Sequence, residues 1–216
     1  MYKALVFDLD GTLVDTPAGI ARTIARVLAN RGYPVPSSEE VYQMIGLPLV
    51  DSFLRFLPAD ARSIAPECVV EYRDLYERIE IPATTLFPGV GETLARFQAA
   101  GVRMAVATAK LTRVAESTLA HSGARGYFDA VLGGDCVSEP KPHPQLALSA
   151  LARLECSPES ALVVGDTSYD IQMGKAAGTA TCGVTYGVQP RTQLAGASPD
   201  YLIDRFAELA AILGTE

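Results

Sequence analysis

The sequence of 216 residues has no tryptophan, only two histidines and only four cysteines, and none of these scarce residues forms a metal-binding pattern. The cysteines form no CxxC pair and have no histidine at metal-ligand spacing, which argues against a zinc site. We therefore expect buried, reduced thiols, as is typical of a cytoplasmic protein. The four residues are Cys68, Cys136, Cys156 and Cys182.

Excess positive charge and long apolar runs are also absent. The net charge of −7, without a basic patch, argues against a nucleic-acid or anionic-membrane partner. No apolar run approaches the roughly 20 residues that a membrane helix needs. The chain begins directly on a predicted strand, so no secretory signal is expected. An apolar fraction of 49% predicts a globular protein with a sizeable core. Together with the scattered cysteines, the lack of an expected signal or membrane helix predicts a cytoplasmic protein, and its oligomeric state is left open.

Predicted strands and helices alternate from residue 89 onward. The predicted strands cover residues 4–7, 102–108, 129–132, 161–166 and 181–184. The predicted helices cover residues 89–100, 112–121, 144–154, 169–177 and 206–213. Repeated β-α-β units with short links predict an α/β fold, a Rossmann-like parallel sheet with helices on both faces.

Residues 17–83 interrupt this alternation with several helical patterns and no convincing strand. Ser37 and Glu40 have the spacing of a capping box, and prolines separate the apolar stripes. Such a block could be a helical layer packed on the sheet, but the number of helices favours a separate domain. We therefore predict a core domain of residues 1–16 and 84–216 with an inserted all-helical cap domain of residues 17–83.

The segment Asp8-Leu9-Asp10-Gly11-Thr12 follows the first predicted strand and is the most informative motif. Side chains two residues apart in an extended chain point to the same face, so both carboxylates can reach one site. Two carboxylates about 4 Å apart repel by roughly 4 kcal/mol at an effective dielectric of ~20. A cation or a shared proton normally relieves that repulsion. A bare Asp-x-Asp is more often an acidic turn, but the full motif after a buried strand is far more specific.

This motif resembles the first motif of the haloacid dehalogenase-like (HAD) hydrolases, whose phosphatase members form a phospho-aspartate on the first Asp. Three further motifs follow in the family's order, so that the resemblance covers nearly the whole chain. They are Thr108 after strand two, Lys141 between two prolines, and the run from Gly165 to Asp170 that contains Asp166. The resemblance implies that strand four returns beside strand one, which brings these residues to one sheet edge.

The resemblance implies a catalytic role for four residues. Asp8 would attack phosphorus, and Asp10 would protonate the leaving alcohol and then deprotonate water. Thr108 would bind a phosphoryl oxygen with its hydroxyl, and Lys141 would neutralise charge on the nucleophile and the phosphoryl group. Lys110 competes with Lys141 for that role.

Four more residues are expected to line the phosphoryl pocket. Gly11 permits a sharp turn, and Thr12 braces it. Ala109 stands where many relatives have Asn, which leaves only its backbone N–H to bind phosphate. Lys110, the next residue, is the fourth.

The cofactor implied is Mg²⁺, which prefers a few carboxylates together with phosphate oxygen and water. We assign to the metal the carboxylates of Asp8 and Asp166 and the backbone carbonyl of Asp10. Asp170 is expected to act indirectly, through water or through a pair with Lys141. Taken alone, Asp166 would be interpreted as a helix N-cap.

Differences from other branches of the resembled family narrow the range of expected activities. Dehalogenating relatives lack the second acid, which is present here as Asp10. Phosphonate-cleaving relatives use a cap Lys, and residues 4–109 contain none. Sugar phosphomutase relatives place His ten residues after the second Asp, where Ile20 stands.

The expected activity is Mg²⁺-dependent hydrolysis of a small phosphorylated metabolite, with phosphoglycolate phosphatases as the most similar subgroup. The alternatives are a pyrophosphatase, a nucleotidase, or a non-catalytic binding or regulatory protein on the same fold. The cap arginines are candidates for selecting the substrate, and the sequence does not distinguish among Arg22, Arg26, Arg55, Arg62, Arg73 and Arg78.

Overall fold

The computed structural model describes residues 2–215, which form an α/β core with a helical segment inserted after the first strand. Across these residues, six parallel strands make one sheet in the order β3-β2-β1-β4-β5-β6. They are β1 (Ala4–Phe7), β2 (Arg103–Ala107), β3 (Ala130–Leu132), β4 (Ala161–Gly165), β5 (Ala180–Val184) and β6 (Tyr201–Ile203). The chain runs outward from β1 to β3 and returns with β4 on the other side of β1, so the predicted fold class and strand order are confirmed.

Ten α-helices accompany the sheet within residues 2–215. The first four lie in the inserted segment: α1 (Pro17–Asn30), α2 (Ser38–Tyr42), α3 (Leu49–Phe56) and α4 (Ala65–Leu75). The others are α5 (Val90–Ala99), α6 (Thr112–His121), α7 (Gln145–Arg153), α8 (Ser168–Ala177), α9 (Arg191–Gly196) and α10 (Leu209–Leu213). A π-helical turn, Tyr76–Glu80, directly follows α4.

Both faces of the sheet are covered. Leu5 and Phe7 of β1 pack on one side with residues of α5, α6 and α10. Ala4 and Val6 pack on the other side with residues of α7 and α8. Because β1 is buried on both faces, its sequence is a continuous apolar run rather than an alternating one.

The inserted segment has an apolar core of its own, which includes Ile24, Phe53 and Tyr72. The chain enters and leaves it through two adjacent connections, where the Asp15 N–H donates to the Thr85 carbonyl at 2.9 Å. The Phe87 N–H donates to the Leu13 carbonyl at 3.0 Å beside it. These paired connections flank the inserted segment, and the status of residues 17–83 as a domain stays a prediction.

Three local predictions from the sequence can be compared with the structure. Ser37 and Glu40 form the predicted capping box of α2. The cysteines are free, as expected, but Cys136 is exposed, so the expectation that all four are buried is wrong. Within residues 2–215, no helix is long and apolar enough to cross a membrane.

Strand β6 and helix α9 were not predicted from sequence. β6 is an edge strand of three residues, too short to give a clear alternating pattern. It lies between Asp200 and Asp204, which makes the segment resemble a polar loop.

Candidate active site

The polar residues that follow three neighbouring strands lie together at the carboxyl edge of the sheet. Asp8 and Asp10 come after β1, Thr108 after β2, and Asp166 after β4. Each of these residues is at most 7% exposed. Since buried carboxylates need compensating partners, the contacts around them define what this site can do.

Lys141 lies between two of the buried carboxylates. Its Nζ is 2.6 Å from Asp8 Oδ1 and 2.7 Å from Asp170 Oδ1, and the residue is only 3% exposed. Burial lowers the pKa of Lys141, but the charges of Asp170 and Asp8 outweigh burial and hold that pKa above its usual value. The lysine is therefore a fixed positive charge against Asp8.

Asp8, Asp166 and Asp170 each present an oxygen within 4.8 Å of the others. Asp166 accepts hydrogen bonds from Thr12 Oγ1 at 2.9 Å and from the Val188 N–H at 2.8 Å. It forms no ion pair with any residue of the described range 2–215. Burial raises the pKa of Asp166 well above its usual value, and the charges of Asp8 and Asp170 raise it further.

Burial and neighbouring charges also shift the pKa of Asp8. Burial raises its pKa to about 7, with Lys141 opposing the shift and the charges of Asp170 and Asp10 adding to it. Repulsion between carboxylates in a buried cluster is relieved by a proton or a cation.

The balance of charge shows which cation fits. When the carboxyl groups of all four acids are ionised, the two lysine ammonium groups leave an excess of two negative charges, and without a cation the raised pKa values of Asp8 and Asp166 favour protons in its place. The six residues are Asp8, Asp10, Asp166, Asp170, Lys110 and Lys141. We call these six residues the acidic cluster. A divalent cation that prefers oxygen ligands, such as Mg²⁺, would neutralise that excess.

Asp10 is held by a different lysine. Lys110 Nζ lies 2.7 Å and 2.8 Å from the two carboxylate oxygens of Asp10, and Thr16 donates its hydroxyl proton to the same carboxylate. The ammonium group also lies 4.5 Å from the centre of the Tyr76 ring, a cation–π contact with the inserted segment. Lys110 and Lys141, which were alternative candidates for the same role, thus contact different acids.

Asp170 is bonded on both oxygens. Oδ2 accepts from Thr167 Oγ1 at 2.6 Å and from the Thr167 N–H at 3.1 Å, while Oδ1 accepts from Lys141. Thr167 is the N-cap of α8, so the N-cap interpretation of Asp166 is wrong. The expected pair of Lys141 and Asp170 is present, and the indirect role of Asp170 toward a metal stays a prediction.

Two glycines allow loops to close on Asp166. Gly11 has a φ of +82°, and a Cβ there would lie 2.3 Å from Asp166 Oδ2. A Cβ on Gly187 would lie 2.3 Å from Asp166 Cβ. The neighbouring Tyr186 hydroxyl donates to the Thr12 carbonyl at 2.8 Å, which joins the two loops. The contact of this loop with Asp166 was not predicted from the sequence. The glycine between Tyr186 and Val188 was the only signal for it.

Thr108 and Ala109 lie between the sheet edge and Lys110. Thr108 Oγ1 accepts from the Lys110 N–H at 3.2 Å, and the Thr108 N–H donates to the Leu132 carbonyl at 3.0 Å. Ala109 borders the cavity described next. Their predicted roles in phosphate binding stay predictions.

A cavity of about 290 Å³ separates the inserted segment from the sheet edge. Asp10, Lys110 and Lys141 border it from the core side. On the opposite side its lining is mostly apolar, and we call these residues the cavity wall: Ile20, Ile24, Val41, Met44, Ile45, Leu47, Leu49, Val50, Val69, Tyr72 and Tyr76. A molecule in this cavity would touch the acidic cluster at one end and apolar side chains along its length.

Comparisons with known proteins agree with this geometry. A family model described as haloacid dehalogenase-like hydrolase matches residues 5–184. The probable phosphatase IndB of Dickeya dadantii is 38% identical, over 97% of this chain and 92% of that protein. The phosphoglycolate phosphatase of Salmonella paratyphi A is 34% identical, over 98% of this chain and 92% of that protein.

A solved structure has the same fold over the same length. The crystal structure of a predicted phosphoglycolate phosphatase from Haemophilus somnus superposes with a TM-score of 0.89. It is 30% identical and covers 98% of each chain. The likeness therefore includes the inserted helical segment as well as the sheet.

Proposed function

This chain belongs to the haloacid dehalogenase-like hydrolase family, and we propose that it hydrolyses phosphomonoesters through a phospho-aspartate on Asp8. It is a phosphatase of the phosphoglycolate phosphatase-like subgroup. The observation that carries the proposal is the buried Asp8, which is held against Lys141 in a cluster of four carboxyl groups and two lysines. Such a carboxylate is oriented and is poorly solvated, as a nucleophile needs to be.

In the first step, an Asp8 oxygen forms a bond to phosphorus while the bond to the alcohol oxygen breaks. For this step Asp10 must carry a proton, which it donates to the departing oxygen, and it then becomes the carboxylate that accepts from Lys110 and Thr16. Lys110 and Thr16 hold the Asp10 side chain at the edge of the cavity. The alcohol leaves, and the phosphoryl group remains on Asp8.

In the second step, Asp10 removes a proton from water, and the water oxygen forms a bond to phosphorus. The bond between phosphorus and Asp8 breaks, which releases inorganic phosphate and restores both carboxyl groups. Lys141 offsets the negative charge of the transferring group in both steps. Thr108, with the backbone at Ala109, Gly11 and Thr12, is proposed to bind the phosphoryl oxygens.

We assign Mg²⁺ to the carboxylates of Asp8 and Asp166 and to the backbone carbonyl of Asp10. The excess charge of the acidic cluster fits a divalent ion, and the donors are all oxygen. When bound, the ion would neutralise charge on the phosphoryl group and on Asp8. Asp170 is proposed to act through Lys141, which donates to it at 2.7 Å and to Asp8 at 2.6 Å.

Residues 17–83 are proposed to form a cap domain that encloses the substrate and excludes water from the phospho-aspartate. Their separate apolar core and the paired connections at residues 13–16 and 84–87 support this division. The substrate is proposed to be a small phosphorylated metabolite. We also propose a cytoplasmic location, since the four free cysteines suit a reducing compartment.

The test is phosphate release from simple alkyl phosphates with and without Mg²⁺, in the wild type and in Asp8→Asn. The proposal expects release that needs both the metal and Asp8. Asp8→Asn removes the nucleophilic oxygen anion but keeps the shape of the side chain. Full activity in the variant would refute the nucleophile, and a folded, metal-loaded wild type that releases no phosphate would favour the non-catalytic alternative.

A further inference from the structure

We infer that Arg73 selects the substrate by binding an anionic group, a carboxylate or a second phosphate, on the alcohol that leaves Asp8. The inference rests on the proposed function, because it concerns the leaving group of that reaction. Three observations carry it: the place of Arg73 in the cavity lining, its lack of an ionic partner within residues 2–215, and the engagement of the other charged groups of the lining.

Arg73 differs in its position from the other arginines of the inserted segment. Of the seven arginines of residues 17–83, it alone lies in the cavity lining. It lies on α4 between Tyr72 and Tyr76 of the cavity wall. It is half-buried, whereas the other six are exposed: Arg22, Arg26, Arg31, Arg55, Arg62 and Arg78. A molecule that extends from the acidic cluster along the cavity therefore meets one arginine of this segment.

The charge of Arg73 has no partner among the described residues. Within residues 2–215 its side chain forms no ion pair and donates no hydrogen bond. Arg78, which follows on the same segment, pairs with Asp74 at 2.6 Å although both side chains are exposed. A guanidinium group that is partly withdrawn from water without an acceptor is unfavourable. An anion in the cavity would supply that acceptor.

The two acids beside Arg73 in the lining have other partners. Arg113 of α6 donates to both carboxylate oxygens of Glu77, at 2.6 Å and 2.7 Å. These hydrogen bonds are the largest cause of the lowered pKa of Glu77. Asp135 is exposed, and its Oδ1 accepts from the Thr112 N–H at 2.7 Å and from the Thr112 hydroxyl at 2.8 Å. Neither acid therefore occupies the Arg73 guanidinium.

The two lysines of the lining are also engaged. Lys110 and Lys141 each contact carboxylates of the acidic cluster at 2.6–2.8 Å, at the end of the cavity where the phosphoryl group is proposed to bind. The lining on the side of the inserted segment is otherwise mostly apolar. Arg73 is therefore the cation of this lining whose charge is available to the leaving group.

The chemistry of the guanidinium group gives the class of ligand and the size of the effect. Its N–H donors form a planar fork that matches the paired oxygens of a carboxylate or a phosphate. A hydrogen bond to a charged group changes affinity by roughly tenfold to a hundredfold. Arg73→Met should therefore lower kcat/KM for the preferred anionic substrate by that factor, relative to a neutral substrate of the same length.

The experiment compares matched anionic and neutral substrates in the wild type and in Arg73→Met, at saturating Mg²⁺. The neutral esters are ethyl, butyl and hexyl phosphate. The anionic esters carry a carboxylate at the end of a chain of the same length, beginning with phosphoglycolate. Butanediol bisphosphate carries a second phosphate instead. Because each substrate is compared with itself in the two proteins, differences in intrinsic reactivity cancel.

For at least one chain length, the ratio of anionic to neutral kcat/KM should fall roughly tenfold to a hundredfold in Arg73→Met. A fall confined to the carboxylates, or confined to the bisphosphate, supports the inference and identifies the anion. Arg73→Lys should keep part of the preference, because it retains the charge and loses the fork. An unchanged ratio for every anionic substrate overturns the inference.

Arg78→Met is the matched control, because it removes the same charge from the same segment at an exposed position outside the lining. Its ratios should equal those of the wild type. An equal fall in Arg78→Met, or an equal loss for neutral and anionic esters in folded Arg73→Met, would contradict the inference and leave the proposed function intact. If no ester releases phosphate, or if Asp8→Asn keeps the hydrolysis, the proposed function fails and this inference fails with it.

Discussion

The acidic cluster and the cavity wall lie on opposite sides of one cavity and are built in opposite ways. In the acidic cluster, directed contacts of 2.6–2.8 Å fix Lys141 and Lys110 against their carboxylates. The wall consists of apolar side chains such as Ile24 and Val41, whose packing is not directional. Under the proposed function, this difference separates the groups proposed to perform the reaction from those proposed to select the substrate.

The two regions should therefore respond differently to substitution. A change in the acidic cluster removes a charge that every substrate meets, since all substrates carry the same phosphoryl group. A change in the wall alters contacts with the leaving group alone. Variants in the cluster should scale all rates together, whereas variants in the wall should change the ratios between substrates.

The largest effect is expected for Asp8→Asn. Loss of the nucleophile should reduce phosphate release by a factor of at least about a thousand for every substrate. Stopped-time phosphate assays measure this loss, and thermal unfolding checks that the variant is folded. A rate near that of the wild type in a folded variant would remove Asp8 from the mechanism.

Lys141→Met is expected to lower kcat/KM by roughly a hundredfold to a thousandfold, equally for hexyl phosphate and phosphoglycolate. Its removal leaves Asp8 and Asp170 without their buried cation, so thermal unfolding should be followed in the presence of Mg²⁺. Lys175→Met is the control, because Lys175 is exposed and donates only to the Ala197 carbonyl. Unequal losses for the two substrates would place Lys141 among the groups that select the substrate.

Gly187→Ala tests whether the loop after β5 positions Asp166. The added Cβ would lie 2.3 Å from Asp166 Cβ, so either the loop or Asp166 must shift. If Asp166 is the proposed metal ligand, this disturbance should weaken Mg²⁺ activation by about tenfold or more. Gly126→Ala is the matched control, since a Cβ there has no neighbour within 4 Å. Equal Mg²⁺ requirements in the two variants would argue against Asp166 as a ligand.

The smallest effect concerns pH and metal stabilisation. In the metal-free protein burial raises the pKa of Asp8 from 3.8 to about 7, so the folded state binds a proton that the unfolded state has lost. Stability without metal should therefore fall as pH rises through that range, and Mg²⁺ should displace the proton. The increase in Tm caused by Mg²⁺ should be larger at about pH 8 than at about pH 6, by about 3 °C or more. A larger increase at the lower pH would contradict these pKa shifts.

The sheet could be predicted from sequence because its strands are buried on both faces and are short apolar runs. Asp8 directly follows Phe7 at the end of one such run, Asp166 directly follows Gly165 at the end of another, and the order of the strands then places those acids together. β6 could not be predicted in the same way, since three residues between two aspartates carry too little pattern.

The contacts within the acidic cluster could not be predicted from the sequence in this way. The pair of Lys110 with Asp10 joins residues that are 100 positions apart, and only the folded chain shows which lysine meets which acid. The need for glycine at position 187 likewise follows from the approach of its loop to Asp166, not from any local pattern. Among the seven arginines of residues 17–83, charge alone could not single out Arg73 as the one in the cavity lining.

The covalent role of Asp8 is tested most directly by trapping the intermediate. The wild type is mixed with hexyl phosphate and Mg²⁺, quenched in acid during turnover, and digested for peptide mass analysis. We predict a peptide with one added phosphoryl group on Asp8, which hydroxylamine removes and which Asp8→Asn does not form. A phosphoryl group on another residue, or the same adduct in Asp8→Asn, would contradict the account.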